Sequence, residues 1–273
     1  MQHEAIDGVV VRVRDAGAND RYLSVLTAER GRMTLLSKGS RSMRGGQMSV
    51  SQLYTYANFE YYRKNGSIAI LKGGTPIQPF YALSMDIDRL NLAAYLCDLT
   101  CELTDEGEEA GEMLRLLLNS LYAISRDLYP QELIKGAFEL RAAVLSGYAP
   151  ELDACARCGE NKAEELYLDV MNGALLCAEC LRTRGQIARP DSVYDDLREA
   201  EVLCPLSPAA HAALVYAATA PLSRLFSFEL ADAEDLRLFA AAAETYLLSH
   251  VGHGFDTLDF YRSLRMPTKG TKA

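Results

Sequence analysis

Four cysteines set the first chemical constraint on this chain. They stand as Cys155-Ala-Arg-Cys158 and Cys177-Ala-Glu-Cys180, with eighteen residues between the two pairs. Two C-x-x-C hooks at that distance follow the four-cysteine zinc pattern. Each hook turns tightly enough to aim two sulfurs at one point, and the segment between them can fold out and return. Zinc suits four thiolates because it is borderline-soft and has no geometric preference of its own. With four protein ligands no position is left for a water, so such an ion would be structural. A rubredoxin-like iron site, disulfides, or thiols buried as small hydrophobes are the other readings of the same spacing.

Little else in the chain speaks of bond-breaking chemistry. There is no G-x-x-x-x-G-K-[ST] loop, no G-x-S-x-G elbow, no H-E-x-x-H and no G-x-G-x-x-G. His250 and His253 lie three apart near the end of a helical stretch and lack a third ligand. Adjacent acids such as Glu108-Glu109 and Asp195-Asp196 point apart on a helix and read as solvated.

The elements that must position these residues follow from periodicity. Val9, Val11 and Val13 fall on one face and Val10, Arg12 and Arg14 on the other, which predicts a strand with one buried side. Residues 22–28 and 33–37 read as a hairpin. Residues 50–63 read as a long aromatic strand, and Asn65-Gly66 turns it into a fifth strand that Gly73-Gly74 and Pro76 end. Five short strands in about 75 residues predict a five-stranded barrel of the OB type. After Pro79 the period becomes helical. Leu92, Tyr95, Leu96, Leu99 and Leu103 share a face, residues 111–125 are apolar nearly all round, and Pro130 starts a third helix. Between the cysteine hooks, Asn172-Gly173 joins two short apolar runs as a small hairpin. Helices follow from Ser207-Pro208 and from about Asp232 to His250.

The expected architecture is therefore α+β and multidomain: an OB-fold β-barrel over 1–78, then an all-α domain over 79–273 carrying a four-cysteine zinc finger at about 151–185. With 273 residues, 49% hydrophobic and 24% charged, the chain has the make-up of a globular protein. Its first residues lack a basic region followed by an apolar run, so no signal peptide is expected. The longest weakly polar run, 209–222, is too short to span a bilayer. Cys97, Cys101 and Cys204 lie in apolar surroundings, and an odd total of seven cysteines fits a reducing cytoplasm.

Charge is distributed unevenly. Residues 1–80 hold eleven Lys and Arg against six Asp and Glu, whereas the rest holds 17 against 31. A basic barrel ahead of an acidic body implies that the barrel meets a polyanion. No acidic residue occurs from Arg30 to Phe59, and the run Lys38-Gly-Ser-Arg41-Ser-Met-Arg44-Gly-Gly is glycine-rich and basic. Glycines let a backbone approach a ligand, and arginines fork onto phosphate oxygens. The candidate phosphate contacts are Arg12, Arg14, Arg32, Lys38, Arg41, Arg44, Arg63 and Lys64. Aromatics on the barrel could stack bases or simply fill it.

Taken in order, the Lys38-Gly-Ser-Arg41 loop, the helical body, and Leu145-Ser-Gly147-Tyr148…Leu152-x-x-Cys155-x-x-Cys158-Gly159…Gly173…Cys177-x-x-Cys180 resemble the RecO family of bacterial recombination mediators. The resemblance runs the length of the chain. It implies a protein that is not an enzyme, that binds single- and double-stranded DNA and anneals complementary strands. It implies RecR and the C-terminal tail of single-strand-binding protein as partners, with RecA helped onto coated DNA. It also implies a bacterial cytoplasmic, nucleoid-associated location, one structural zinc on Cys155, Cys158, Cys177 and Cys180, and DNA contact around Lys38, Arg41 and Arg44. A scaffold whose barrel binds protein rather than DNA is the alternative.

Overall fold

A computed structural model of the chain describes residues 2–40, 47–63, 68–161, 163, 165–183 and 202–265. The chain divides into two compact units, Met1–Leu128 with Gly254–Ala273, and Tyr129–His253.

In the first unit β1 (Gln2–Ala16) serves two partners. Its first half pairs with β4 (Thr55–Arg63) and its second half with β2 (Asp20–Thr27), both antiparallel. β3 (Gly31–Ser37) follows β2 in a hairpin, and β5 (Ala69–Pro79) closes the ring by pairing parallel to β3 and antiparallel to β4. The result is a closed barrel in the order β1-β2-β3-β5-β4, the five-stranded OB-type architecture expected. Ile6, Val10, Leu23, Val25, Met33, Leu35, Phe59, Tyr61 and Leu71 fill its interior.

Two local expectations change. The ladder between β1 and β2 skips Val11, a β-bulge between Val10 and Arg12. One extra residue reverses which parity faces inward. Ile6 and Val10 therefore point into the barrel before the bulge, and Val13 packs on the same core after it. Val10 does not share a face with Arg12 and Arg14. Val9 and Leu26 are fully buried on the outer side, where α1 (Ile87–Glu102) and α2 (Gly111–Arg126) pack on β1 and β2. The second change is at Gly73-Gly74, which does not end β5. A Cβ on Gly74 would stand 2.4 Å from the carbonyl oxygen of Asn58. Glycine there permits close approach of β4, and the strand continues to Pro79.

Asp86 caps α1 by accepting from the amides of Asp88 and Arg89. Such a cap satisfies donors that have no partner within the helix.

In the second unit α3 (Gln131–Leu145) is buried along most of its length. The cysteine segment forms a four-stranded sheet rather than a lone hairpin. β6 (Glu151–Cys155) pairs with β8 (Ala174–Cys177), β8 with β7 (Leu166–Asp169), and β7 with β9 (Leu203–Leu206). α4 (Ala178–Thr183) leaves β8 directly. α5 (Pro208–Thr219) is capped by Ser207, whose hydroxyl accepts from the Ala210 amide. α6 (Ala233–Val251) packs on α3, where Gly136 leaves room for the Phe239 ring.

The chain then returns to the first unit. α7 (Asp256–Arg265) buries Leu258 and Tyr261 and packs on α1. Phe255 meets Tyr95 edge-on with ring centroids 5.7 Å apart.

Candidate metal centre and candidate nucleic-acid interface

Short elements bring the four cysteines together. Cys155 ends β6, and the next turn carries Cys158. That turn is held by the Gly159 amide donating to the Cys155 carbonyl at 2.8 Å and the Cys155 amide to the Glu160 carbonyl at 2.8 Å. Cys177 ends β8, and Cys180 sits in the first turns of α4. β6 and β8 run parallel, so both hooks leave the same end of the sheet. The four sulfurs lie within 4.8 Å of one another, and Cys158 Sγ stands 3.8 Å from Cys177 Sγ. Zinc–sulfur bonds of about 2.3 Å require tetrahedral edges of about 3.8 Å, so the donor set and spacing fit a four-thiolate metal site. All seven cysteines are free thiols, none of them in a disulfide.

The backbone prepares the site for negative sulfur. The Cys177 amide donates to Cys155 Sγ at 3.4 Å, and the Cys180 amide to Cys177 Sγ at 3.5 Å. Burial pushes the Cys155 thiol up, but the amides of Cys158, Cys177 and Arg157 outweigh it and bring it down to about 6. A hydrogen bond with Cys158, together with burial, holds the Cys180 thiol at about 12. Four thiols this close share protons, and a cation replaces those protons as the charge that balances the sulfurs. Cys155 and Cys177 are buried whereas Cys158 is exposed. Beside the cluster an open recess of about 530 Å³ is rimmed by Glu160, Glu165, Glu179 and Arg182. Its predominantly acidic rim does not suit phosphate.

The eight candidate phosphate contacts of the barrel differ in their surroundings. Arg12 forms an ion pair with Asp98 of α1, Nη2 to Oδ1 2.6 Å, and Thr257 of α7 donates to the other carboxylate oxygen at 3.1 Å. That hydrogen bond from the guanidinium raises the Arg12 pKa further. Arg63 pairs with Glu106 at 3.2 Å. Arg32 is half-buried and its side chain reaches the Cys101 thiol. Arg14 and Lys38 are exposed and have no carboxylate partner among the described residues. Arg41, Arg44 and Lys64 lie outside the described residues. Asp98 and Glu106 are ion-pair partners that sequence reasoning missed. Each is tens of residues from its arginine, and no local pattern marks it.

Barrel, helical body and thiolate cluster together define a two-part OB-barrel protein with a four-cysteine finger. Residues 1–80 match the family model described as Recombination protein O N terminal, and residues 84–194 match Recombination protein O C terminal. DNA repair protein RecO of Acetivibrio thermocellus is 26% identical over 266 residues, 97% of this chain and 98% of that protein. The protein of the same name from Alkaliphilus metalliredigens is 30% identical over 174 residues, 64% of this chain and 70% of its own length. The corresponding protein of Anaeromyxobacter dehalogenans strain 2CP-1 is 34% identical over 182 residues, covering 66% and 71%. The chain belongs to the RecO family. No described helix is long and apolar enough to cross a membrane.

Proposed function

We propose that this chain is a DNA-binding recombination mediator that acts in DNA repair without itself breaking or making covalent bonds. The observation that carries the reading is the split among the barrel's cations. Some arginines are spent on internal carboxylates. Arg14 on β1 and Lys38 just past β3 stand exposed on an OB barrel, the kind of barrel whose strand face takes oligonucleotides. Family membership supplies the biological setting. The barrel, residues 1–78, grips phosphates of single- and double-stranded DNA, with Arg41, Arg44 and Lys64 as further contacts. Neutralising two strands at once lowers their repulsion and favours pairing. RecR and the tail of single-strand-binding protein are the protein partners, and RecA profits as coated strands are opened to it. The setting is the bacterial cytoplasm, at the nucleoid.

Cys155, Cys158, Cys177 and Cys180 hold one structural zinc in this reading. The ion cross-links β6 to β8 and α4 and takes part in no reaction, because all four of its positions are thiolates.

The test is annealing of complementary oligonucleotides coated with single-strand-binding protein, with and without the chain. Faster pairing, together with a salt-dependent gel shift, is the expected result. Neither acceleration nor shift would turn the barrel into a protein-binding scaffold.

A further inference from the structure

The strand register places one row of side chains around the outside of the barrel. Arg14 lies opposite Tyr22, Tyr22 opposite Leu36, and Leu36 beside Ile70. Directly paired residues share a face. Every member of this row is at least partly exposed, whereas the next residues along their strands, Leu23, Leu35 and Ala69, are fully buried in the barrel. The row is therefore the outer face, and it carries aliphatic carbon where a solvated sheet face ordinarily carries polar groups. Tyr22, in its middle, is 37% exposed. Its hydroxyl has no hydrogen-bond partner among the described residues.

Other tyrosines of the barrel are differently used. Tyr54 and Tyr61 are buried, and the Tyr61 hydroxyl is held between Glu4 and Arg30. Tyr62, opposite Ile70 at the far end of the same row, leans on His3 with ring centroids 5.8 Å apart. Tyr22 alone among these stands exposed next to a free cation on its own row, and Lys38 follows two residues after Leu36, just past the end of the neighbouring strand. Two acids lie nearby. Asp15 pairs with Arg21 at 3.6 Å, and the Asp20 carboxylate accepts from the Gly39 amide at 2.8 Å.

We propose that this row is a stacking strip for unpaired bases of single-stranded DNA, with Tyr22 as the stacking ring, Leu36 and Ile70 as its apolar floor, and Arg14 and Lys38 as phosphate contacts on either flank. The inference rests on the DNA-binding reading above and adds a basis for strand preference. Adjacent strands are about 4.8 Å apart, so the row from Arg14 to Ile70 is about 15 Å long, room for two or three nucleotides. In a duplex the faces of the bases are already stacked on one another, and a ring projecting from a convex barrel cannot reach them. Phosphates are offered by both forms. The cations thus bind either form, and Tyr22 favours the single strand.

The experiment uses the full chain, which contains no tryptophan. In a Tyr22→Trp variant the new indole is the only one, and its fluorescence is quenched by a stacked base. Quenching by an oligothymidylate but not by a blunt duplex of the same length is expected. Tyr22→Ala should weaken single-strand binding roughly tenfold, leave duplex binding and the salt dependence unchanged, and be rescued by Tyr22→Phe. The position is exposed, so equal thermal midpoints for the variants verify folding. If Tyr22→Ala binds the single strand as wild type does, while Arg14→Ala with Lys38→Ala weakens both forms, the stacking strip is wrong and the DNA-binding reading stands. If the wild-type chain binds neither form, both fail.

Discussion

Removing free cations and removing paired cations should have different effects on salt dependence. Each phosphate neutralised on a single strand contributes about −0.7 to the slope of log K against log salt. Arg14 and Lys38 have no carboxylate partner among the described residues, so replacing both by alanine should make the slope shallower by about 1.4. Between 50 and 200 mM salt the wild type should then lose about sevenfold more affinity than the variant does. Arg12 and Arg63 make the control pair. Their charges already face Asp98 at 2.6 Å and Glu106 at 3.2 Å, so in the proposed DNA-binding reading they should release few counterions. Their double alanine variant should change the slope by less than about 0.5. It should also cost a little stability, since solvent-accessible ion pairs contribute about 0.2–1 kcal/mol each. Anisotropy of a labelled oligothymidylate across a salt series measures both slopes. Cations at 41, 44 and 64 are common to all variants and cancel in the comparison. A slope that flattens as much in the Arg12, Arg63 pair as in the Arg14, Lys38 pair would refute the assignment of free and spent charge.

Three other expectations follow from the geometry. Gly17 and Gly31 both have positive φ, 84° and 56°, but a Cβ on Gly17 meets nothing within 4 Å while one on Gly31 stands 2.1 Å from the Asp105 carbonyl oxygen. Urea melts should show Gly17→Ala costing about 1 kcal/mol. Gly31→Ala should cost about 3 kcal/mol, since it also breaks the Arg32–Asp105 and Gly107–Arg30 backbone bonds; equal costs would contradict the close approach. Zinc measured by atomic emission should fall from about one ion per chain toward zero in a Cys155→Ser, Cys177→Ser double variant, and a full ion retained there rules out the thiolate site. Glu4 has its pKa held below 4.5 by the Tyr61 hydroxyl and by Arg30, against the opposing effect of burial. A carboxyl depressed in the folded state stabilises above its unfolded pKa and loses that contribution as pH falls through the folded value. Glu4→Gln should therefore flatten the acid limb of the stability curve below about pH 4.5, and a limb as steep as wild type's would show that the network adds nothing.

What could be read from the sequence was local. The cysteine hooks are legible because a metal demands several ligands at short, fixed spacing. The barrel strands are legible because one buried face imposes a period of two. The bulge at Val11 was not legible, since an extra residue leaves no mark on composition while inverting every side chain beyond it. Gly73-Gly74 reads as a stop because glycine usually punctuates a strand; here it accommodates the Asn58 backbone. β7 and β8 are legible because Asn172-Gly173 marks the turn between them, whereas β6 and β9 have no such turn joining them to a sequence neighbour and pair only through the fold. The fate of the arginines depended on Asp98 and Glu106, whose proximity is created by the fold. Of the eight candidate phosphate contacts, sequence could name the charges but not which of the described ones face a carboxylate.

The return of α7 has a consequence for how the protein is made. The face of α1 that carries Tyr95 and Asp98 receives Phe255 and Thr257 from the far end of the chain. Between Leu128 and Gly254 the ribosome must synthesise the whole of the other unit. At about 5–20 residues per second that interval lasts roughly 6–25 s. Throughout it the barrel can close and Arg12 can find Asp98, but the face of α1 that α7 packs against stays uncovered. The unit that begins first is thus completed last, and a nascent chain carries an exposed apolar face that a chaperone could hold until α7 emerges.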